Sequence, residues 1–212
     1  MYINDLPVSI SKTVNLIKEG DNIITLVWNN TLNSCLDMFA CATSIFSVDL
    51  SHFDSSPITT VQYMFNECRN VRFINLTNFN PPNVTNSAYT FRNCYALTSI
   101  DMTNCNIPCD SYTHTFDSTS SLISLDLSKW KPSNLYRIDY FMTGSKKLLL
   151  LDISNFDTTQ VGIRRDEFTD CNKLKYINLR YYKGIDIFST IPYINRMTYC
   201  IENIDNLPSS AS

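Results

Sequence analysis

The stretch FNECRNVRFINLTNFNPPNVTNSAYTF, residues 65–91, begins and ends on a phenylalanine and decides the fold. A small residue, Cys68, follows the first Phe by three positions. Val71, Ile74 and Leu76 then form an LxxIxL pattern, followed by an aromatic (Phe79), a Pro-rich polar turn, Val84 and a polar approach to Phe91. Residues 74 to 76 alternate apolar and polar with period two, as a half-buried strand does. The same pattern recurs along the chain. The aromatic or Met anchors are Phe39, Phe65, Phe91, Phe116, Met142 and Phe168, separated by 26, 26, 25, 26 and 26 residues. Three after each anchor stand Ala42, Cys68, Cys94, Thr119, Ser145 and Cys171. The strand positions Val48, Ile74, Ile100, Leu125, Leu151 and Ile177 fall into one column, and Phe53, Phe79, Cys105, Trp130, Phe156 and Tyr182 into another.

A fixed period of this length is the mark of a repeat architecture. One unit holds too few apolar side chains to offset the entropy of ordering itself, so the units must stack and bury their faces on one another. The expectation is a solenoid of six units with a parallel sheet along one face. The stretch before each anchor, such as Thr85 to Phe91, suits a brief helix or 3₁₀ turn opened by Ser or Thr. Residues 1–38 are read as an N-terminal cap, with Ile23, Ile24, Leu26 and Trp28 a degenerate strand. Residues 39–193 are the repeats, and 194–212 an incomplete last unit with a frayed PSSAS tail. The third unit is one residue short and carries Cys105 in the aromatic column, which leaves its turn, 106–112, open to question.

Composition narrows the class. Of 212 residues 44% are hydrophobic and 17% charged, a globular balance. The net charge of −3, with no more than two adjacent basic residues, sets nucleic-acid binding aside. Apolar runs such as 148–151 are far below the ~20 residues that cross a bilayer. Four glycines cannot build Gly-rich phosphate loops, while 23 asparagines need a regular lattice of hydrogen-bond partners. The eight cysteines include no CxxC, and only His52 and His114 could join them, against a zinc site. The N-terminal MYINDLPVSISKTV shows no signal peptide.

MFNECRNVRFINLTNFNPPNV (64–84), FRNCYALTSIDMTNCN (91–106) and LLLLDISNFDTTQV (148–161) resemble the BspA-type leucine-rich repeat of bacterial and protist surface proteins. The segment ITLVWNNTLNSCLDMF (24–39) also resembles the N-terminal cap of protist members. The resemblance implies an α/β leucine-rich-repeat solenoid of about six 25–26-residue units. It further implies a secreted or cell-surface protein that adheres to a protein or glycan on another cell or matrix.

Two outward columns carry the candidate site. One is Ser47, Phe73, Ser99, Ser124, Leu150 and Tyr176, in which Phe73, Leu150 and Tyr176 are the candidate partner-binding residues, because large apolar groups on a sheet face mark a contact surface. The other is Asp49, Asn75, Asp101, Asp126, Asp152 and Asn178. Asp101, Asp126 and Asp152 lie on consecutive rungs ~4.8 Å apart and border the same surface. They could share a Ca²⁺, but an open face supplies too few oxygens, and a solvated ladder is the simpler reading. No cofactor or metal is expected. Asn29, Asn75 and Asn83 are sequon asparagines, with Asn83 the best placed for glycosylation. Cys68 and Cys94, on adjacent rungs, are within disulfide reach but read more simply as buried thiols. Cys105 with Cys109, and Cys35 with Cys41, remain local alternatives. His114 has Cys109, Asp110 and Asp117 as sequence neighbours, and His52 has Asp49 and Asp54, but no nucleophile–base motif appears and an enzyme is not expected. The resulting reading is non-enzymatic recognition by a rigid surface. An intracellular scaffold and an architectural spacer are the alternatives.

Overall fold

The structure, a computed structural model, describes residues 32–181 except 133, 163 and 164, together with the strand residues 2–3, 6–7, 24–25 and 198–200. It falls into two compact units, Met1–Leu32 and Asn33–Ser212. In the first unit, β1 (Tyr2–Ile3) pairs antiparallel with both β2 (Leu6–Pro7) and β3 (Ile24–Thr25). Trp28, Asn29 and the tail beyond Cys200 lie outside the described residues.

The second unit is a parallel-strand β-solenoid. Its rungs are β4 (Ser47–Asp49), β5 (Phe73–Asn75), β6 (Ser99–Asp101), β7 (Ser124–Asp126), β8 (Leu150–Asp152) and β9 (Tyr176–Asn178), with β10 (Thr198–Cys200) added beside β9. The register follows the sequence period: Val48 faces Ile74 and then Ile100, while Leu125 faces Leu151 and then Ile177. In β4, β5, β7 and β8 the middle residue points into the core and the outer two point away, as the pleat dictates. The sheet is not continuous, however. It comprises β4-β5-β6 and β10-β9-β8-β7, and among the described residues no hydrogen bond joins β6 to β7. That opening lies between the two rungs that enclose the short unit.

The described residues contain no helix, which corrects the α/β expectation and the brief helix expected before each anchor. Two residues before the anchors, Asp37, Tyr63, Tyr89, His114, Tyr140 and Asp166 all have φ of 52–62°. Two residues after them, Cys41, Glu67, Asn93, Ser118, Gly144 and Asp170 have φ of 59–73°. A left-handed residue every fourth position breaks the i→i−4 ladder. The backbone takes another route. The Tyr63, Phe65 and Glu67 N–H groups donate across to the next rung, to the carbonyls of Ala88 (3.1 Å), Thr90 (2.8 Å) and Arg92 (2.9 Å). Met64, Asn66 and Cys68 between them donate to carbonyls three residues back, Val61, Tyr63 and Phe65. The anchors' flank is thus a second hydrogen-bonded face. Each non-glycine left-handed residue costs ~1–2 kcal/mol, offset by a cross-rung bond of comparable size and by packing.

The core is a set of side-chain columns. Phe39, Phe65, Phe91 and Phe116 stack with centroids 5.2, 5.5 and 5.0 Å apart. The small column beside them ties each rung to the one before. The Cys68, Cys94 and Cys171 thiols donate to the carbonyls of Phe39, Phe65 and Met142, the anchors one rung earlier, at 2.9–3.2 Å. All seven described cysteines are free, so neither Cys68 with Cys94 nor the local pairs are bridged. Burial pushes the thiol of Cys68 up to about 11 and those of Cys35, Cys105, Cys109 and Cys171 up to about 12, and raises Cys94 as well. A thiol held protonated is a poor nucleophile. Iodoacetamide at pH 8 is therefore expected to modify Cys41, which is exposed, and to leave those six unmodified until the protein is denatured. Peptide mapping reads the result, and a labelled Cys94 in native protein would contradict it.

In the short unit the missing aromatic at Cys105 is made good from elsewhere. The fully buried Tyr112 ring lies 5.2 Å from Trp130 and 5.5 Å from Phe156. Its hydroxyl donates to the Ile107 carbonyl (2.6 Å) and accepts from the Cys109 N–H (3.2 Å), which shapes the questioned turn.

Candidate functional site

The sheet presents two outward columns and a third just before the strands. In the first outward column Phe73 is 40% and Leu150 49% exposed, while Tyr176 is half-buried; the other members are serines. Register places Leu150 directly beside Tyr176. Phe73 sits between Ser47 and Ser99 in the other sheet, so the three residues do not make one patch. The preceding column, Phe46, Arg72, Thr98, Ile123, Leu149 and Lys175, completes two separate patches. Phe46 (53% exposed) lies under the Arg72 guanidinium at 5.8 Å and adjoins Phe73. Ile123 (48%) accepts through its carbonyl from Leu149 and Leu150 N–H at 2.8 and 3.4 Å, joining it to Leu149, Leu150 and Tyr176. Thr98 and Ser99 separate the two patches. Phe46 and Ile123 were missed because they precede the alternating segment; their signal was simply a large apolar residue where Thr or Lys would do.

The acidic column closes the strands. Asp49, Asn75, Asp101, Asp126, Asp152 and Asn178 each use Oδ1 to accept the backbone N–H two residues on, at 2.8–3.1 Å. These are Asx turns, which end a strand by giving its next amide a local partner. Donation from the Ser51 and Thr103 N–H groups holds the Asp49 and Asp101 carboxyls below the usual range. Asn178 also donates from Nδ2 to Asp152 Oδ2 at 2.7 Å. Asp101 and Asp126 border an open groove of about 510 Å³ where the sheet parts, with Phe73, Ser99, Met102 and Lys129 around it; Asp152 lies outside it. Asn75 is bound into its ladder through Oδ1, whereas Asn83 sits exposed in a turn.

The turn face holds a feature absent from the sequence reading. Tyr63, Tyr89, His114 and Tyr140 stack nearly parallel, with centroids 4.8, 4.8 and 4.5 Å apart. His114 Nδ1 lies 2.7 Å from Asp117 Oδ2, which Arg92 Nε approaches to 3.4 Å, and the Arg92 guanidinium covers Tyr89 at 5.5 Å. Of the sequence neighbours of His114, Asp117 is thus the partner. The inner rings, Tyr89 and His114, each stack on two neighbours.

No curated protein and no solved structure matches the chain. A family profile described as "Mycoplasma protein of unknown function, DUF285" matches residues 12–120 and again 109–183. The two matches meet over 109–120, where Tyr112 fills the short unit. Together they run from residue 12 to residue 183, well over half of the sequence, and the chain belongs to this DUF285 family of Mycoplasma proteins of unknown function.

Proposed function

We propose that this solenoid is a non-enzymatic recognition module, built of BspA-type leucine-rich repeats and displayed at the cell surface, that adheres through its sheet face to a protein or glycan of another cell or matrix. The observation that supports it most is the exposure of Phe73, Leu150 and Ile123 on the sheet face, where other rungs carry Ser47, Ser99, Ser124 and Thr98 at the same positions. Large apolar side chains held on a rigid ladder reduce the entropic cost of association. They also supply the anchors that interface energetics concentrate on.

Beads coated with the protein are expected to adhere to a cell monolayer or matrix. Adhesion should fall at least tenfold for the Phe73→Ser, Leu150→Ser, Tyr176→Ser triple variant, while its thermal midpoint stays within a few degrees of wild type. Adhesion that survives at the wild-type level would remove the sheet face as the site.

A further inference from the structure

The larger apolar patch is bordered by positive charge. Lys147 and Lys173 stand five residues after their anchors on adjacent rungs, ~4.8 Å apart along the ladder. Lys146 precedes Lys147, and Lys175 follows Lys173 beside Tyr176. All four are exposed, and among the described residues no lysine takes part in an ion pair. The same columns in the third and fourth units hold Ala96, Thr98, Ser121 and Ile123, so this lysine cluster is set apart from the basic residues of the second unit, Arg69 and Arg72. It stands out in a chain of net charge −3.

Across the strand the surface is therefore striped. Lys147 and Lys173 lie on one side, Ile123, Leu150, Lys175 and Tyr176 in the middle, and Asp126 and Asp152 on the other, two residues (~6.6 Å) beyond Ser124 and Leu150. From this we infer that the partner docked here is an acidic, leucine-bearing polypeptide segment lying across the rungs. Its carboxylates meet Lys147, Lys173 and Lys175, and its apolar side chains cover Ile123 and Leu150. A polypeptide is narrow enough to follow the lysine and apolar stripes and avoid the carboxylates. An anionic bilayer would reach across all three stripes and meet Asp126 and Asp152, and a sulfated glycan offers nothing apolar to Leu150 and Ile123. Charge complementarity of this kind sets specificity and association rate more than raw affinity, and it weakens with salt.

This inference rests on the recognition reading, and its test separates the two. The probe is a fluorescein-labelled peptide of alternating Asp and Leu, read by fluorescence anisotropy against the full chain at 50 and 300 mM NaCl. A Lys-and-Leu peptide, heparin and phosphatidylglycerol vesicles are run beside it. The acidic peptide is expected to bind, at least tenfold more weakly at the higher salt. A Lys147→Glu, Lys173→Glu, Lys175→Glu variant should lose at least tenfold, as should Leu150→Ser. Arg69→Glu, at an exposed arginine paired with Glu67, should bind as wild type. Circular dichroism confirms that each variant is folded. Failure of the acidic peptide to bind overturns the inference, and so does equal binding by the lysine variant or a preference for heparin or vesicles. If coated beads lose adhesion with the serine variants but keep it with the glutamate variant, recognition by the sheet face stands and the acidic partner falls.

Discussion

Replacing Tyr112 by Ala is expected to lower the thermal midpoint by roughly 10–15 °C and to split unfolding into two transitions. The side chain does two jobs in the short unit: its ring fills the space left by Cys105 against Trp130 and Phe156, and its hydroxyl serves the Ile107 carbonyl and the Cys109 N–H. Removing a buried aromatic costs about 3–5 kcal/mol, and the two hydroxyl hydrogen bonds go with it, although the Cys109 N–H still donates to the Ile107 carbonyl at 3.0 Å. For a chain of this length each kcal/mol moves the midpoint by about 2–4 °C. The split follows from location. Between the third and fourth rungs the sheet contributes no hydrogen bond, so the two halves are joined by the anchor stack, the turn-face bonds and Tyr112. In a one-dimensional array cooperativity passes only through such interfaces. Tyr112→Phe isolates the hydroxyl and should cost about 0.5–1.5 kcal/mol with unfolding still a single transition, because the Ile107 carbonyl and the Cys109 N–H keep each other as partners. Calorimetry distinguishes these outcomes, and a single transition near the wild-type midpoint for the Ala variant would show that the ring is dispensable.

Phe91→Ala is expected to cost about 3–5 kcal/mol. Phe91 is fully buried and stacks on both sides, 5.5 Å from Phe65 and 5.0 Å from Phe116, so its loss cuts the aromatic column in two. Its carbonyl also accepts the Cys94 N–H, and its own N–H donates to Thr115 at 2.8 Å; neither bond needs the ring. The backbone ladder should therefore survive while the packing fails. Leucine at the same place keeps most of the volume and should cost under about 1.5 kcal/mol. Urea unfolding of the two variants measures the difference, and equal midpoints would show that the column is held by its backbone alone.

The rungs themselves were legible because Val48, Ile74, Ile100, Leu125, Leu151 and Ile177 recur at one spacing, and an in-register sheet can only place equal offsets side by side. The small column was legible as small, though its hydrogen bonds to the preceding anchors were not, since a thiol's partner cannot be read from spacing. The flank before each anchor was misread as helical. Tyr63, Tyr89, His114 and Tyr140 do not advertise positive φ, and their left-handed backbone is stabilised by neighbours one rung away. Asp37, Asn93, Asp166 and Asp170 were the available hint, being residue types that tolerate that region, but they were scattered among types that do not. The opening in the sheet was equally hidden: the one-residue shortening pointed to the turn at 106–112, not to strands β6 and β7. With that opening, Phe73 went to one patch and Leu150 with Tyr176 to another.

Cross-rung hydrogen bonds on two faces also make the molecule a mechanical element. Under tension applied along the stack, rungs can detach singly, each detachment breaking one set of bonds. A released rung of 26 residues frees about 90 Å of contour at ~3.5 Å per residue, far more than the ~4.8 Å it occupied in the ladder. The junction between β6 and β7, where the sheet's own hydrogen bonds are missing, is where the first slack is released. A tether of this build lengthens stepwise under load and dissipates a pull before its ends let go.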